Sequence, residues 1–158
     1  MKKEAEEEGY EFGIRKIDAA DEYTATILND GQLYVWGKND HGQMGVGSGI
    51  GIDLVESENL PREVDLKQSL PETADADDVP VAVDVHTGMR TMLVLDSQQR
   101  LFQTGLKIDW SPKCVSLDQD KINGKIEMIA SGRGHYVFVD SENYVHSFGK
   151  IFKEKSAD

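Results

Sequence analysis

A run of glycines within residues 42–51, Gly-Gln-Met-Gly-Val-Gly-Ser-Gly-Ile-Gly, is the first segment whose composition could support chemistry. Glycine-rich loops cradle phosphates when their glycines follow the order G-x-G-x-x-G or when the loop ends in Gly-Lys-Ser/Thr. Here the glycines from 45 to 51 fall at alternate positions, and no lysine follows Gly47. We therefore interpret them as glycines that permit tight turns between structural units, and not as a nucleotide site.

Carboxylates at Asp75, Asp77 and Asp78 suggest a calcium loop, which needs glycine at its sixth position and glutamate at its twelfth. Counted from Asp75, those positions hold Pro80 and His86, so the pattern fails. The four histidines, at 41, 86, 135 and 146, have no metal-ligand spacing such as H-x-x-x-H. We interpret the acidic residues as a solvated loop or turn and expect neither a metal ion nor a cofactor.

Candidate nucleophiles are present but stand outside any catalytic motif. Ser131, Ser141 and Cys114 each lack a base in a recognisable motif context. A single cysteine cannot close an internal disulfide, and without a Cys/His cluster a structural zinc site is excluded. The sequence therefore predicts a protein that is not an enzyme.

The charge balance narrows the classes of partner. The chain has 158 residues, room for one domain, and its 17 Lys and Arg against 29 Asp and Glu give a net charge of −12. Nucleic acids and anionic membranes are bound through clustered positive charge, so neither is an expected partner. The acidic N-terminus has no apolar core, which excludes a secretion signal. We expect an intracellular protein, cytoplasmic or nuclear.

Internal repetition is the strongest pattern in the chain. Three segments align without gaps, each with a small residue followed 17 positions later by a closing glycine. Successive repeats are offset by 68 and 44 residues, spacings that suit the blades of a β-propeller. The pairs are Ala20 and Gly37, Gly88 and Gly105, and Gly132 and Gly149.

Each repeat is predicted to form a β-hairpin. Its first strand is a short apolar or β-branched run, typical of a strand buried on both faces. Asp30-Gly31 predicts a two-residue turn, since glycine adopts positive φ without a Cβ clash. Asn123-Gly124 predicts a further hairpin that joins the region of 114–117 to 126–130. The apolar runs are 24–28, 92–95 and 136–139.

The return strand of the first repeat opens a longer motif. Leu33 and Val35 point to one face and Trp36 to the other, where it is expected to be blade core. Residues 34–47, Tyr-Val-Trp-Gly-Lys-Asn-Asp-His-Gly-Gln-Met-Gly-Val-Gly, resemble the signature of the regulator of chromosome condensation (RCC) repeat, with Met44 in place of leucine. With the turn residue Gly31, the framework positions are Trp36, Gly37, Asn39, Gly42, Gln43, Gly45 and Gly47.

A second signature of the same family is resembled by residues 129–135, Ile-Ala-Ser-Gly-Arg-Gly-His. Gly132 and His135 occupy its glycine and histidine positions, and the resemblance implies that the His135 side chain hydrogen-bonds the backbone within its blade. The middle repeat departs most, because it has Thr104 where tryptophan is usual. The resemblance covers most of 17–149 and is strongest at 31–47 and 129–149.

Members of this family form seven-bladed propellers, and at about 50 residues per blade this chain has room for about three. We expect an all-β chain folded as a partial β-propeller of about three blades built from short antiparallel hairpins. An open arc leaves unpaired faces, so the chain is interpreted as a fragment, as one completed by another chain, or as a short form stacked on a partner. The expected organisation is an acidic segment at 1–16, repeats near 17–50, 81–113 and 114–149, an insert at 51–80, and a tail at 150–158.

The insert at 51–80 carries nine acids, two bases and three prolines, a net charge of −7. A flexible solvated loop accounts for this composition, and the alternative is a contact arm for a basic or assembled partner. The candidate partner-binding residues are Asp53, Glu56, Glu58, Leu60, Glu63, Asp65 and Leu66.

The patterns and the resemblance leave three functions open. The first is a non-catalytic protein–protein interaction or scaffold module, with protein partners that include a chain completing the propeller. The second, implied by the family resemblance alone, is guanine-nucleotide exchange on a Ran-like small GTPase. A third alternative is an accessory domain of a larger kinase or ubiquitin ligase.

Overall fold

The computed structural model of the chain describes residues 13–46, 57–105, 109–115, 122 and 124–149. Within these ranges the chain forms three small antiparallel sheets, each built from consecutive strands. The first sheet has β1 (Ile14–Ala19), β2 (Tyr23–Leu28), β3 (Leu33–Lys38) and β4 (Ser57–Glu63). The second has β5 (Ala82–Thr87), β6 (Thr91–Asp96), β7 (Leu101–Gly105) and β8 (Asp109–Val115). The third has β9 (Ile126–Ser131), β10 (His135–Asp140) and β11 (Val145–Gly149).

These sheets are the blades of a partial β-propeller, which confirms the predicted fold class. The predicted buried runs coincide with the central strands β2, β6 and β10. Strand β6 is buried along its whole length, because alternate side chains pack against the first and the third blade. In β10 burial alternates instead, so one face of the third blade is more open.

Two apolar cores lie between the blades. The first joins blades one and two around Ala25, Ile27, Leu33, Val35, Val85, Met92, Val94 and Phe102. The second joins blades two and three around Leu93, Leu95, Leu101, Ile126, Ile129, Tyr136 and Phe138. The second blade therefore contributes one set of alternating residues to the first core and the other set to the second core.

The hairpin turns have three residues each, not the two predicted from Asp30-Gly31. In the first blade Leu28 N–H donates to the Gln32 carbonyl oxygen at 2.9 Å, and Gly31 N–H donates to the Leu28 carbonyl oxygen at 2.9 Å. The equivalent turns, at 97–99 and 141–143, have the same two hydrogen bonds. A type I turn followed by a residue with positive φ has this pattern. That residue is Gly31, Gln99 and Asn143 in turn, with φ of 88°, 66° and 66°.

The fourth strand of each complete blade was not anticipated. Strand β4 lies inside the expected insert at 51–80, so part of that acidic segment is a blade edge. The hairpin expected between 114–117 and 126–130 was wrong, since β8 pairs with β7 and β9 pairs with β10. Trp36 was expected in the core, but it is only partly buried, on the face of β3 opposite Leu33 and Val35.

Candidate interaction surfaces

The closing glycines allow the end of each return strand to lie close to the start of the strand with which it pairs. Gly37, Gly105 and Gly149 have φ of 113°, 92° and 112°. A Cβ at Gly105 would lie 2.1 Å from the Arg90 carbonyl oxygen, and the other two glycines would meet backbone at the equivalent place. Only glycine combines this positive φ with such close backbone contact. These three positions are framework.

The loop that carries the RCC-like signature folds onto itself and then onto the second blade. The Asn39 side-chain oxygen accepts from Met44 N–H at 2.9 Å, and the Gln43 side-chain oxygen accepts from His41 N–H at 2.9 Å. Thr104 Oγ1 donates to the Gln43 carbonyl oxygen at 2.6 Å. Asn39 and Gln43 are both 2% exposed, so their role is to fix the loop. Gly42 and Gly45 have positive φ here, and Gly47 lies outside the described residues.

Gly88 and Gly132 do not have positive φ, and a side chain is excluded there by close contacts with neighbouring atoms. A Cβ at Gly88 would lie 2.5 Å from the Gly132 carbonyl oxygen of the next blade. A Cβ at Gly132 would lie 2.4 Å from Cε1 of His135, so the His135 ring covers this glycine. The His135 side chain is exposed, and within the described part of the chain it makes no hydrogen bond to backbone.

Buried aspartates organise the turns of the second and third blades, a role that the sequence reading missed. Asp96 is fully buried, and its carboxylate accepts from the backbone N–H of Gln98 at 3.0 Å and of Arg100 at 2.8 Å. Its second oxygen accepts from Arg100 Nε at 2.6 Å. Asp140 is equally buried, holds its own turn in the same way, and lies 2.8 Å from Nε2 of His146.

Side-chain hydrogen bonds connect the three blades in sequence. Ser131 Oγ, in the third blade, donates to the Thr87 carbonyl oxygen at 2.8 Å. Thr87, in the second, donates from its backbone N–H and its hydroxyl to Asp18 Oδ2 at 2.6 and 3.0 Å. Tyr23 of the first blade donates to the Thr91 carbonyl oxygen at 2.6 Å. Burial raises the pKa of this phenol, which therefore remains a donor.

A charged cluster reinforces the contact between β1 and β5. Asp84 lies 2.9 Å from Nζ of Lys16 and 2.9 Å from Nε2 of His86. Burial by itself would raise the pKa of Asp84, but hydrogen bonds from His86 and Lys16 outweigh it and lower the pKa to about 2. Within the described residues, no group of three or more His, Cys, Asp and Glu side chains is arranged to hold a metal ion.

The end face of the first blade exposes positions that are buried in the other two. Ile17 is 57% exposed, whereas its repeat equivalents Val85 and Ile129 are 0% and 9% exposed. Ile14 is 66% exposed and is equivalent to the buried Ala82 and Ile126. In the other blades these positions pack against the preceding blade.

The third blade has an exposed end face on the side that points away from the second blade. Val145 is 70% exposed, whereas its equivalents Leu33 and Leu101 are buried in the two cores. Met128 on β9 is exposed as well, and both Met128 and Val145 pair with Val139 of the central strand β10. Among the described residues, β11 also has no outer strand, although its equivalents β3 and β7 pair with β4 and β8.

The predicted partner-binding residues have different environments. Glu58 lies 3.0 Å from Arg62 on β4, and Leu60 on the same strand is 75% exposed. Leu66, in contrast, is 5% exposed and packs into the first core. Asp53 and Glu56 lie outside the described residues.

Glu63 and Asp65 lie on the rim of a cavity of about 180 Å³ beside the turn between β2 and β3. Its apolar lining includes buried Leu33, Val64 and Leu66 and exposed Val79 and Val81. Asp30 is a third carboxylate on the same rim. The part of the chain that the structure describes has no helix long and apolar enough to span a bilayer.

Two models of the regulator of chromosome condensation (RCC1) repeat match the chain, over residues 30–88 and 14–43. No curated protein matches it in sequence. The crystal structure of human WBSCR16 has a TM-score of 0.67 at 16% identity, covering 89% of this chain and 34% of that one.

Prp20p from Saccharomyces cerevisiae has a TM-score of 0.62 at 18% identity, covering 86% of this chain and 33% of Prp20p. That structure is described with the binding of Prp20p to Gsp1p and histones, and another shows yeast RCC1 (Prp20) bound to Kap60. This chain thus spans about a third of the length of these structures. The chain therefore carries RCC1 repeats over residues 14–88, and its three-bladed arc shares the fold of these propeller structures.

Proposed function

We propose that this arc is a non-catalytic protein-interaction element whose two end faces are covered by further propeller blades, from a second chain or from a longer polypeptide. The observation that carries the proposal is the exposure of Ile14, Ile17 and Val145 at positions that form the inter-blade cores elsewhere in the chain. Burying an aliphatic side chain of this size is favourable by about 1.5–3 kcal/mol. Covering both faces therefore provides a driving force for assembly.

Among the described residues no strand pairs with the outer edge of β11, which supports the same proposal. A strand edge with unpaired N–H and C=O groups pairs readily with an added strand. The pairing of β3 with β4 and of β7 with β8 shows which register such a strand would take.

The test is the mass of the full 158-residue chain in solution, measured by light scattering over a range of concentrations. We expect masses well above 17.6 kDa. Val145→Asp and Ile17→Asp should restore the monomer, whereas Leu60→Asp, at an equally exposed position on the edge strand β4, should not. A monomer at all concentrations with one sharp cooperative melt would contradict the proposal.

Guanine-nucleotide exchange on a Ran-like GTPase is the alternative proposal. Its support is the Gsp1p binding described for Prp20p, whose fold this chain shares over a third of its length. Exchange would need no covalent step, only contacts that stabilise the nucleotide-free GTPase. The experiment is release of labelled GDP from a Ran-like GTPase, and no acceleration at micromolar chain would remove this alternative.

A further inference from the structure

The cavity beside the turn between β2 and β3 is distinct from both end faces. Its floor is formed by Leu33, Val64 and Leu66, and its wall by Val79 and Val81. Val79 is 61% exposed and Val81 is 36% exposed. The depression is therefore apolar and open to solvent.

Its size selects the kind of ligand. A cavity of about 180 Å³ is smaller than the roughly 300–1,000 Å³ of sites that enclose a small molecule. It has room for a single aliphatic side chain, the way in which one anchor residue of a peptide enters a pocket on a protein surface.

The rim of this groove is acidic. Asp30, Glu63 and Asp65 surround the apolar floor, and Lys67 is the one cation among the lining residues. Lys67 Nζ is already hydrogen-bonded to the Ala76 carbonyl oxygen at 2.5 Å. The groove therefore has an excess of negative charge around an apolar centre.

The negative charge of the rim also acts on Tyr34. Burial is the largest cause of the raised pKa of Tyr34, and the nearby charges of Glu63 and Asp30 raise it further. The turn carboxylates are also held in place, because Asp30 accepts from Gln32 N–H and Asp65 accepts from Lys67 N–H, both at 3.0 Å. Fixed charges at a rim favour oppositely charged partners.

We propose that this groove binds a basic peptide segment of a partner protein, with one aliphatic residue in the cavity and lysine or arginine on either side facing the rim. The proposal does not depend on completion of the propeller, because none of the end-face residues lines the groove. The acidic rim disfavours a nucleic acid in the same place.

Fluorescence polarisation with the full 158-residue chain tests this site. The probe is a labelled synthetic peptide, Gly-Ser-Lys-Arg-Leu-Arg-Lys-Ser-Gly, compared with one in which serine replaces the leucine. We expect the leucine peptide to bind about tenfold more tightly, because the cavity removes its side chain from water. Raising the salt concentration should weaken both peptides.

Isosteric amides isolate the role of the rim. Asp30→Asn, Glu63→Gln and Asp65→Asn combined keep the turn acceptors but remove three charges, and should weaken the leucine peptide about tenfold. The matched control neutralises exposed acids elsewhere, as Asp21→Asn, Glu127→Gln and Glu142→Gln. Val79→Ser should reduce the preference for leucine over serine. Thermal melts of each variant verify folding.

Three results would overturn the proposal. The first is equal binding of the leucine and serine peptides, which would indicate general attraction to an acidic protein. The second is equal weakening by the rim variant and its control. The third is no binding of the leucine peptide at about 1 mM chain, the weak limit for a specific peptide contact.

Discussion

The hydrogen bonds from Thr87 to Asp18 should be the strongest polar connection between the first two blades. Thr87 is 8% exposed, and both its N–H and its hydroxyl donate to one carboxylate oxygen, at 2.6 and 3.0 Å. Hydrogen bonds to a charged acceptor contribute about 1.5–3 kcal/mol, and a buried N–H left unpaired costs about 1–3 kcal/mol. Asp18→Ala should therefore lower the free energy of unfolding by about 2–3 kcal/mol.

A double-mutant cycle distinguishes the loss of this contact from non-specific destabilisation of the fold. Thr87→Val removes only the hydroxyl donor and should cost about 1 kcal/mol. Combined with Asp18→Ala, the two losses should be non-additive by about 1 kcal/mol, as expected for groups in direct contact. Asp21→Ala, an exposed position at the end of the same hairpin, is the control.

The assay is urea unfolding followed by circular dichroism. For a chain of this size a loss of 2–3 kcal/mol moves the midpoint by about 1–2 M urea. A loss below about 0.5 kcal/mol for Asp18→Ala, or additivity in the cycle, would refute the inference that this contact joins the blades.

Three further changes test other parts of the fold. Gly105→Ala places a Cβ 2.1 Å from a carbonyl oxygen at φ +92°, and should cost more than about 2 kcal/mol or prevent folding, measured by the same urea titration. Tyr23→Phe removes the 2.6 Å hydrogen bond to Thr91 and should cost about 1 kcal/mol; no loss in the thermal melt would show that the bond is dispensable. The pKa of Asp84 is lowered to about 2, so its contribution of about 2 kcal/mol is present above about pH 4 and is lost as the pH falls through 2. Wild type and Asp84→Asn should therefore differ in stability at neutral pH and converge near pH 2, and a difference that persists at pH 2 would contradict this assignment.

The repeats carried most of the predictable information. Alignment of the closing glycines located the three central hairpins, because a close backbone contact that only glycine permits recurs at a fixed spacing in the sequence. The alternation of Leu33 and Val35 likewise identified the face that packs on the next blade.

The outer strands could not be read in the same way. Strand β4 has the sequence Ser-Glu-Asn-Leu-Pro-Arg-Glu, which lacks alternation and contains Pro61. It is a strand only because β3 offers an edge, and a register shift lies between its paired residues Glu58 and Arg62. Its acidic composition is that of a solvated loop, so propensity alone favours the wrong assignment.

The contacts between blades also could not be predicted from the sequence. Asp18, Thr87 and Ser131 are polar residues on different strands, and nothing in their local sequence marks them as partners. Leu66 is buried because it packs against core residues more than 20 positions away in the sequence. Long-range contacts of this kind depend on the register of all three sheets.

Photo-crosslinking from the third-blade end face tests whether the open end faces are interaction surfaces. A benzophenone side chain placed at 145 in the full chain, in the cells that make the protein, should crosslink to the β-strands of another propeller blade, whereas the same group at position 60 should not. Crosslinks from 60 but not from 145, or none from either, would contradict the account that the open end faces are the interaction surfaces.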